Sequence, residues 1–356
     1  MPARTRLGID LHAIRIDVAA RAASQGHVFR RTDLERWGFD ATICRTMLRR
    51  RLWMRLRHGV YVDAARFNAV AADPCSRHLL DLASAHAMLD GQAFAFGLSA
   101  AHLHGLPLPR EHDHTVHLLR SLDIDHRALR PGRHTSRETG DVHVTGHELT
   151  GIATTMVEHF PVVDRTLAAL STAAAVSPDW AVAVLDAGCW QDAAALETLH
   201  AMVDDWPALL GIGTVRRALP WVRTGAQSPL ESISRIRLLR LGLPEPELQV
   251  AFHDAEGLVG YADMWWPDLG VIGEADGALK YDGVGKLVAE KWREDRLRAL
   301  GVAVVRWSWS DMMSRPQVVA GQIRRAAGWT RPQPPMRPGR PPQPGPHPRT
   351  LTQPPG

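Results

Sequence analysis

Between Ser228 and Ala327 the hydrophobic period changes in a fixed order, and that order leaves few folds open to the chain. Ser228-Pro229-Leu230-Glu231 opens a helix, with Ser228 as cap and Pro229 at the first position. The segments LQVAFHD and LVGYADMWW then alternate about an Asp254-Ala255-Glu256-Gly257 turn, as the arms of a hairpin do. Leu269–Asp276 is more continuously apolar, which suits a strand covered on both faces. A helix over about Gly285–Leu300, a strand in VAVVRWSW and a last helix over Arg315–Ala327 complete an αβββαβα series. Helices on both faces of a mixed sheet are the natural cover for such a strand set.

Two acids interrupt these strands. Asp263 lies among apolar residues of the second strand, and Glu274 among those of the third. A carboxylate in such a place is costly unless it binds something. Neighbouring strands lie roughly 5 Å apart, so the two are within reach of one shared cation. A hard Mg²⁺ held by two carboxylates and water would neutralise a phosphodiester and acidify its water.

Charge marks the other end of the chain. The formal net charge is only +4, but Arg30 to Arg57 contains nine arginines against Asp33, Glu35 and Asp40. A local positive field of this kind suits a phosphate backbone, and it also suits a solvated helix face. Of 42 basic residues only Lys280, Lys286 and Lys291 are lysines. A compact ammonium required by chemistry and a chance cluster in one helix both account for them.

An amphipathic helix is expected over residues 10–24, and Gly26 breaks it. Thr32 with Glu35 forms a capping-box pattern for a short helix to Trp37, and Asp40 caps an arginine-rich helix over Ala41–Arg51. LWMRLRHGVYV then alternates about His58-Gly59 as a small hairpin. This is the order of a winged helix-turn-helix. In the middle region HTVHLLR and DVHVTG read as strands, and their alternation accounts for the clustered histidines without a metal site. Thr154–Leu170 and Pro178–Leu199 read as alanine-rich packed helices. From Arg331 onward eleven prolines and almost no apolar residues predict a disordered tail.

The expected organisation is thus an α+β multidomain protein. Residues 1–65 form a winged helix-turn-helix and 66–225 a mixed strand and helical region. Residues 226–328 form an α/β/α domain, and 329–356 the tail. No apolar run approaches the roughly 18–20 residues that span a bilayer, and no signal peptide is evident. Three scattered cysteines suggest free thiols, so a cytoplasmic location is expected. Oligomeric state is left open.

Two resemblances add to this reading. The N-terminal stretch, with Ser99, Ala100, Ala101, Leu103, His104, Gly105 and Leu106, resembles the N-terminal part of AbiEi-type antitoxins over about residues 20–160. That resemblance implies that Thr42, Arg45, Arg49 and Arg50 lie on a recognition helix facing DNA, and Arg57 is a further candidate nucleic-acid contact. The C-terminal blocks Ser228–Ser232, Gly260–Trp266, Glu274–Tyr281 and Glu290–Trp307 resemble a domain related to very-short-patch-repair endonucleases, of the restriction-endonuclease-like PD-(D/E)XK fold. It implies Mg²⁺ on Asp263 and Glu274, with Glu231 as a further acid. The parent pattern has lysine two residues after the second carboxylate, where this chain has Asp276, and Lys280 is the nearest substitute. Lys291 and Arg293 on the next helix are candidate phosphate contacts. The leading expectation is a DNA-binding protein like the AbiEi antitoxins and regulators, with a nuclease-fold domain. A Mg²⁺-dependent DNA endonuclease and a protein that binds a cognate toxin are the alternatives.

Overall fold

The computed structural model describes residues 10–89, 91–111, 114–121, 132–134, 141–148, 151–276 and 284–328, with 284–290 as backbone only. Lys280, the side chain of Lys286 and the tail from 329 lie outside the described residues. The protein is a mixed α/β chain, with three sheets among the described residues, and divides into two compact units at Ala175/Val176.

In the first unit, Asp10 accepts hydrogen bonds from the free N–H groups of His12 and Ala13 and so starts α1 (Leu11–Ala22). Then follow β1 (Val28–Arg30), α2 (Arg31–Arg36), α3 (Ala41–Arg49), β2 (Trp53–Arg57) and β3 (Val60–Asp63). The three strands form an antiparallel sheet in the order β1-β3-β2. Val18, Phe29, Leu34, Met47 and Trp53 make its core, and the Phe29 ring stands edge-on to Trp53 at 4.9 Å between centroids. Helix α2 begins earlier than Thr32 allows. The Asp33 carboxylate accepts the Arg30 N–H at 2.8 Å, so the cap lies at Arg30.

The rest of the unit comprises α4 (Ala64–Val70), α5 (Pro74–Met88), β4 (Phe94–Ala95), α6 (Gly97–His104), β5 (Val116–Ser121), β6 (Gly132–His134), β7 (Val142–His147), β8 (Thr154–Val157), β9 (Phe160–Val163) and α7 (Arg165–Ala173). Six strands pair in the order β6-β7-β5-β4-β9-β8. The helix expected from Thr154 is therefore a hairpin followed by a helix. Glu158 takes φ +53° at the turn, and the branched residues Thr154, Thr155 and Val157 favour strand over helix. The Ser99 motif is a strut: its hydroxyl is within 2.9 Å of His78 Nε2 and accepts the His117 N–H at 2.8 Å. Ser99 is fully buried, so it is a packing element with no access for a substrate.

The second unit opens with α8 (Pro178–Gly188), α9 (Ala193–Asp205) and α10 (Ile212–Ala218). These helices, grouped with the middle region on sequence, pack with the C-terminal elements because Arg235 is buried against Asp186 of α8 at 3.0 Å. Then come α11 (Pro229–Arg240), β10 (Glu247–Asp254), β11 (Gly257–Trp266), β12 (Val271–Asp276), α12 (Val284–Ala299), β13 (Ala303–Ser308), α13 (Trp309–Ser314) and α14 (Pro316–Ala326). The expected last helix stands as α14, and the short α13 is an added element before it, started where Ser308 and Asp311 cap each other's backbone N–H.

The sheet order is β10-β11-β12-β13, antiparallel except for the parallel β12/β13 pair across the α12 crossover. One face packs Met264, Trp266 and Trp307 against Leu230 and Leu238 of α11 and Val319 and Ile323 of α14. The other packs Val250, Phe252, Trp265 and Ile272 against Leu297 of α12. Helices thus cover both faces. Trp266 and Trp307 meet over Gly273, where a Cβ would lie 2.7 and 2.6 Å from their rings. Among the described residues no helix is long and apolar enough to cross a membrane.

Candidate functional site

Three acids from three elements converge at the α11 end of the four-stranded sheet. Glu231 stands in the first turn of α11, where the Ser228 cap fixes the helix start and unpaired N–H groups favour a negative charge. It is buried, and its Oε2 accepts from Gln227 N at 2.9 Å and from Gln249 Nε2 at 3.0 Å. The same amide nitrogen lies 3.5 Å from Asp263 Oδ1, so Gln249 bridges the two acids. Asp263 Oδ2 accepts the Ala275 N–H at 2.9 Å, which ties β11 to β12 beside Glu274.

Asp263 shows the electrostatic consequence. Burial, then the nearby charges of Glu231 and Glu274, push its carboxyl up to about 6. A group so placed gains from a cation. Oxygen donors are what a hard divalent ion takes, so the donor set of Asp263 and Glu274 fits Mg²⁺. Among the described residues no three histidine, cysteine or acidic groups form a ready-made metal cage. Mg²⁺ commonly takes one or two carboxylates and completes its shell with water and phosphate, a donor count that the pair matches.

Glu274 is also held by cations of the protein. Arg306, its neighbour across the β12/β13 pairing, places Nε 2.6 Å from Oε2. Arg293 of α12 places Nη2 2.6 Å from Oε1. That contact is an ion pair off hydrogen-bond alignment, since the buried Oε1 accepts no hydrogen bond. Arg306 is braced from behind by Glu294 at 2.9 Å, and its guanidinium pulls the Glu294 carboxyl below the usual range. Asp276 ends β12, half-exposed and 4.0 Å from Arg306. Lys291 is exposed on α12, and Lys280 lies outside the described residues.

The sequence reading therefore named Glu231, Asp263 and Glu274, which the fold brings together, and missed Gln249 and Arg306. Gln249 occupies a left-handed conformation, φ +52°, unusual for a non-glycine residue and opposite Asp263 in the hairpin register. Its only signal was a polar residue between Leu248 and Val250, which alternation alone assigns to solvent. Gly260 of the Gly260–Trp266 block has a steric role. A Cβ there would lie 2.7 Å from Arg293 Nε, so the glycine lets the Arg293 arm cross β11.

In the first unit α3 turns Cys44 and Met47 inward and leaves Thr42, Arg45, Arg49 and Arg50 exposed. Asp40 caps the helix through Thr42 N and Ile43 N. Arg57, expected to face nucleic acid, instead turns inward and donates to Ser84 Oγ at 2.9 Å, with its pKa lowered by burial. The β2/β3 pairing shifts register between Arg55 and Arg57, which accompanies the turn of that side chain toward α5.

No family model matches the chain. It is 30% identical over 145 residues to two uncharacterized proteins of Mycobacterium tuberculosis, Rv2248 of strain H37Rv and MT2308 of strain CDC 1551. The match covers 41% of this chain and 54% of each relative, so the chain spans about half the length of the curated relatives it matches.

Proposed function

We propose that this protein binds DNA through its first unit and that its second unit is a divalent-cation-dependent nuclease site of the restriction-endonuclease-like kind. The observation that carries the reading is the convergence of Glu231, Asp263 and Glu274 on one end of a four-stranded sheet, with Asp263 pushed up to about 6. The antiparallel β10-β11-β12 run, the α12 crossover and the parallel β13 support the αβββαβα assignment. The α2–α3 pair followed by the β2/β3 hairpin supports the winged-helix assignment, with Arg45 and Arg49 toward phosphate.

Asp263 and Glu274 would hold the cation, which when bound supplies charge neutralisation at a phosphodiester and a more acidic water. Gln249 and Glu231 orient Asp263, and the Ala275 N–H fixes its second oxygen. Lys291, exposed on α12, is available to a phosphate.

One observation favours a second reading, a DNA-binding regulator that does not cut. Both oxygens of Glu274 are engaged by arginine, and Asp276 stands where the parent pattern has lysine. Incubation of the full chain with supercoiled plasmid in Mg²⁺, Mn²⁺ or EDTA separates the two. Metal-dependent nicking that disappears in Asp263→Asn and Glu274→Gln, with DNA retention unchanged, supports the nuclease. DNA retention indifferent to EDTA and no nicking in any divalent metal support the regulator.

A further inference from the structure

Glu274 and Asp263 are balanced differently, although both belong to the same carboxylate group. Glu274 has a guanidinium at each oxygen, both at 2.6 Å. Asp263 receives N–H donors from Ala275 and Gln249 and retains its repulsion with Glu231 and Glu274. A cation shared by the two acids therefore competes with an arginine for one of Glu274's oxygens.

The two arginines are not equivalent competitors. Arg306 belongs to the sheet, lies in register with Glu274 and is braced by Glu294. Arg293 arrives from a different layer. Its arm leaves α12, passes over Gly260, donates to the Tyr261 carbonyl at 3.0 Å and meets Glu274 Oε1 out of hydrogen-bond alignment. A swing of one side chain uncovers Oε1, and no strand has to move. A guanidinium also binds phosphate in a two-pronged geometry that a misaligned carboxylate contact does not offer.

We propose that Arg293 is an internal counter-ion at Glu274 that a nucleic-acid phosphate draws away, so that metal and nucleic acid bind this site in positive cooperation. The proposal rests on the reading of Asp263 and Glu274 as a metal pair. Arg293 is then a positioning residue, closing the cation site in the free protein and opening it on the complex. The coupling is reciprocal: whatever factor nucleic acid adds to metal affinity, metal adds to nucleic-acid affinity.

The test is calorimetric titration of the full chain with Mn²⁺ alone, without nucleic acid, and then with a short DNA duplex. Arg293→Gln is expected to bind Mn²⁺ about tenfold or more tightly than the wild type, within the usual range of such couplings. Gly260→Ala, whose added methyl displaces the same arm without removing its charge, is expected to move affinity in the same direction. Duplex tightens Mn²⁺ binding to the wild type and leaves Arg293→Gln unchanged, while Asp263→Asn loses the Mn²⁺ site in either background. Thermal melts establish that each variant is folded. A wild type that binds Mn²⁺ as tightly as Arg293→Gln overturns the counter-ion role and leaves the metal pair standing. If neither protein binds Mn²⁺, the metal pair falls and the counter-ion proposal falls with it.

Discussion

Helix α3 presents its charge to water: Arg45, Arg49 and Arg50 are exposed, while Cys44 and Met47 carry the packing. In the second unit three arginines point the other way. Arg235 is wholly buried, with Nη2 3.0 Å from Asp186 and 2.7 Å from the Trp221 carbonyl. Arg306 and Arg293 close on Glu274. The same residue type thus does different work on α3 and around α11 and β12. On α3 solvent screens each charge, so the helix tolerates its arginines at little cost and keeps them available to a partner. Around α11 and β12 each charge is committed, and the fold depends on its partner being present.

The largest expected effect comes from removing one half of the best-buried pair. Arg235→Ala leaves Asp186, whose pKa is already raised by burial, without its main compensating charge. A loss of about 3–5 kcal/mol in denaturant unfolding is expected. Replacing both members, Arg235→Met with Asp186→Leu, is expected to recover most of that loss. A double variant as unstable as the single one would show that the cost is packing. Gly273→Ala supplies a comparison without charge in the same sheet. Its methyl meets Trp266 and Trp307, and a loss of about 1–3 kcal/mol is expected by the same measurement.

A change at the carboxylate group has the opposite sign. An aspartate with pKa about 6 in the folded protein and 3.8 unfolded keeps a proton that the unfolded chain gives up across that interval. Stability contributed by this group is therefore lost as pH rises from about 4 to 6, and the full penalty persists above it. Asp263→Asn removes that penalty. In EDTA it is expected to raise stability by about 1–2 kcal/mol at pH 8, after discount for partial solvent screening, and by nothing near pH 4. Equal Tm for wild type and variant at pH 8 would mean that neither burial nor the neighbouring acids penalise the Asp263 charge.

These differences also set what was legible from sequence. Apart from the short α13, the order of elements from Ser228 to Ala327 follows from hydrophobic period and caps, because the other local signals there agree with the tertiary arrangement. Asp263 and Glu274 stood out because they break apolar strands. Gln249 did not, because an outward-facing polar residue and a bridging one look alike until the register opposite Asp263 is known. The Arg306 contact needed the parallel β12/β13 pairing, which joins residues separated by a whole helix. The Thr154 hairpin was hidden by alanine-rich sequence beyond it, where the helix begins at Arg165. Arg57 was read by charge alone, and its partner Ser84 lies on a distant helix.

The smallest effect on stability is expected where the sequence shows the most charge. Arg45→Ala and Arg49→Ala remove exposed side chains from α3, and each is expected to change unfolding by less than about 0.5 kcal/mol. On the proposed reading their effect belongs in DNA binding. If each neutralises one phosphate, each substitution lowers the slope of log affinity against log salt by about 0.9, and the double variant lowers it by about twice that. Arg57→Ala supplies the internal control, since its guanidinium is turned toward Ser84: it should cost stability and leave the salt slope unchanged. Fluorescence anisotropy across a salt series measures the slopes, and thermal melts measure the stabilities. A slope that stays constant in the Arg45 and Arg49 variants would remove phosphate contact from α3. It would leave the exposed arginines as a solvated face, the one role that their lack of structural cost already permits.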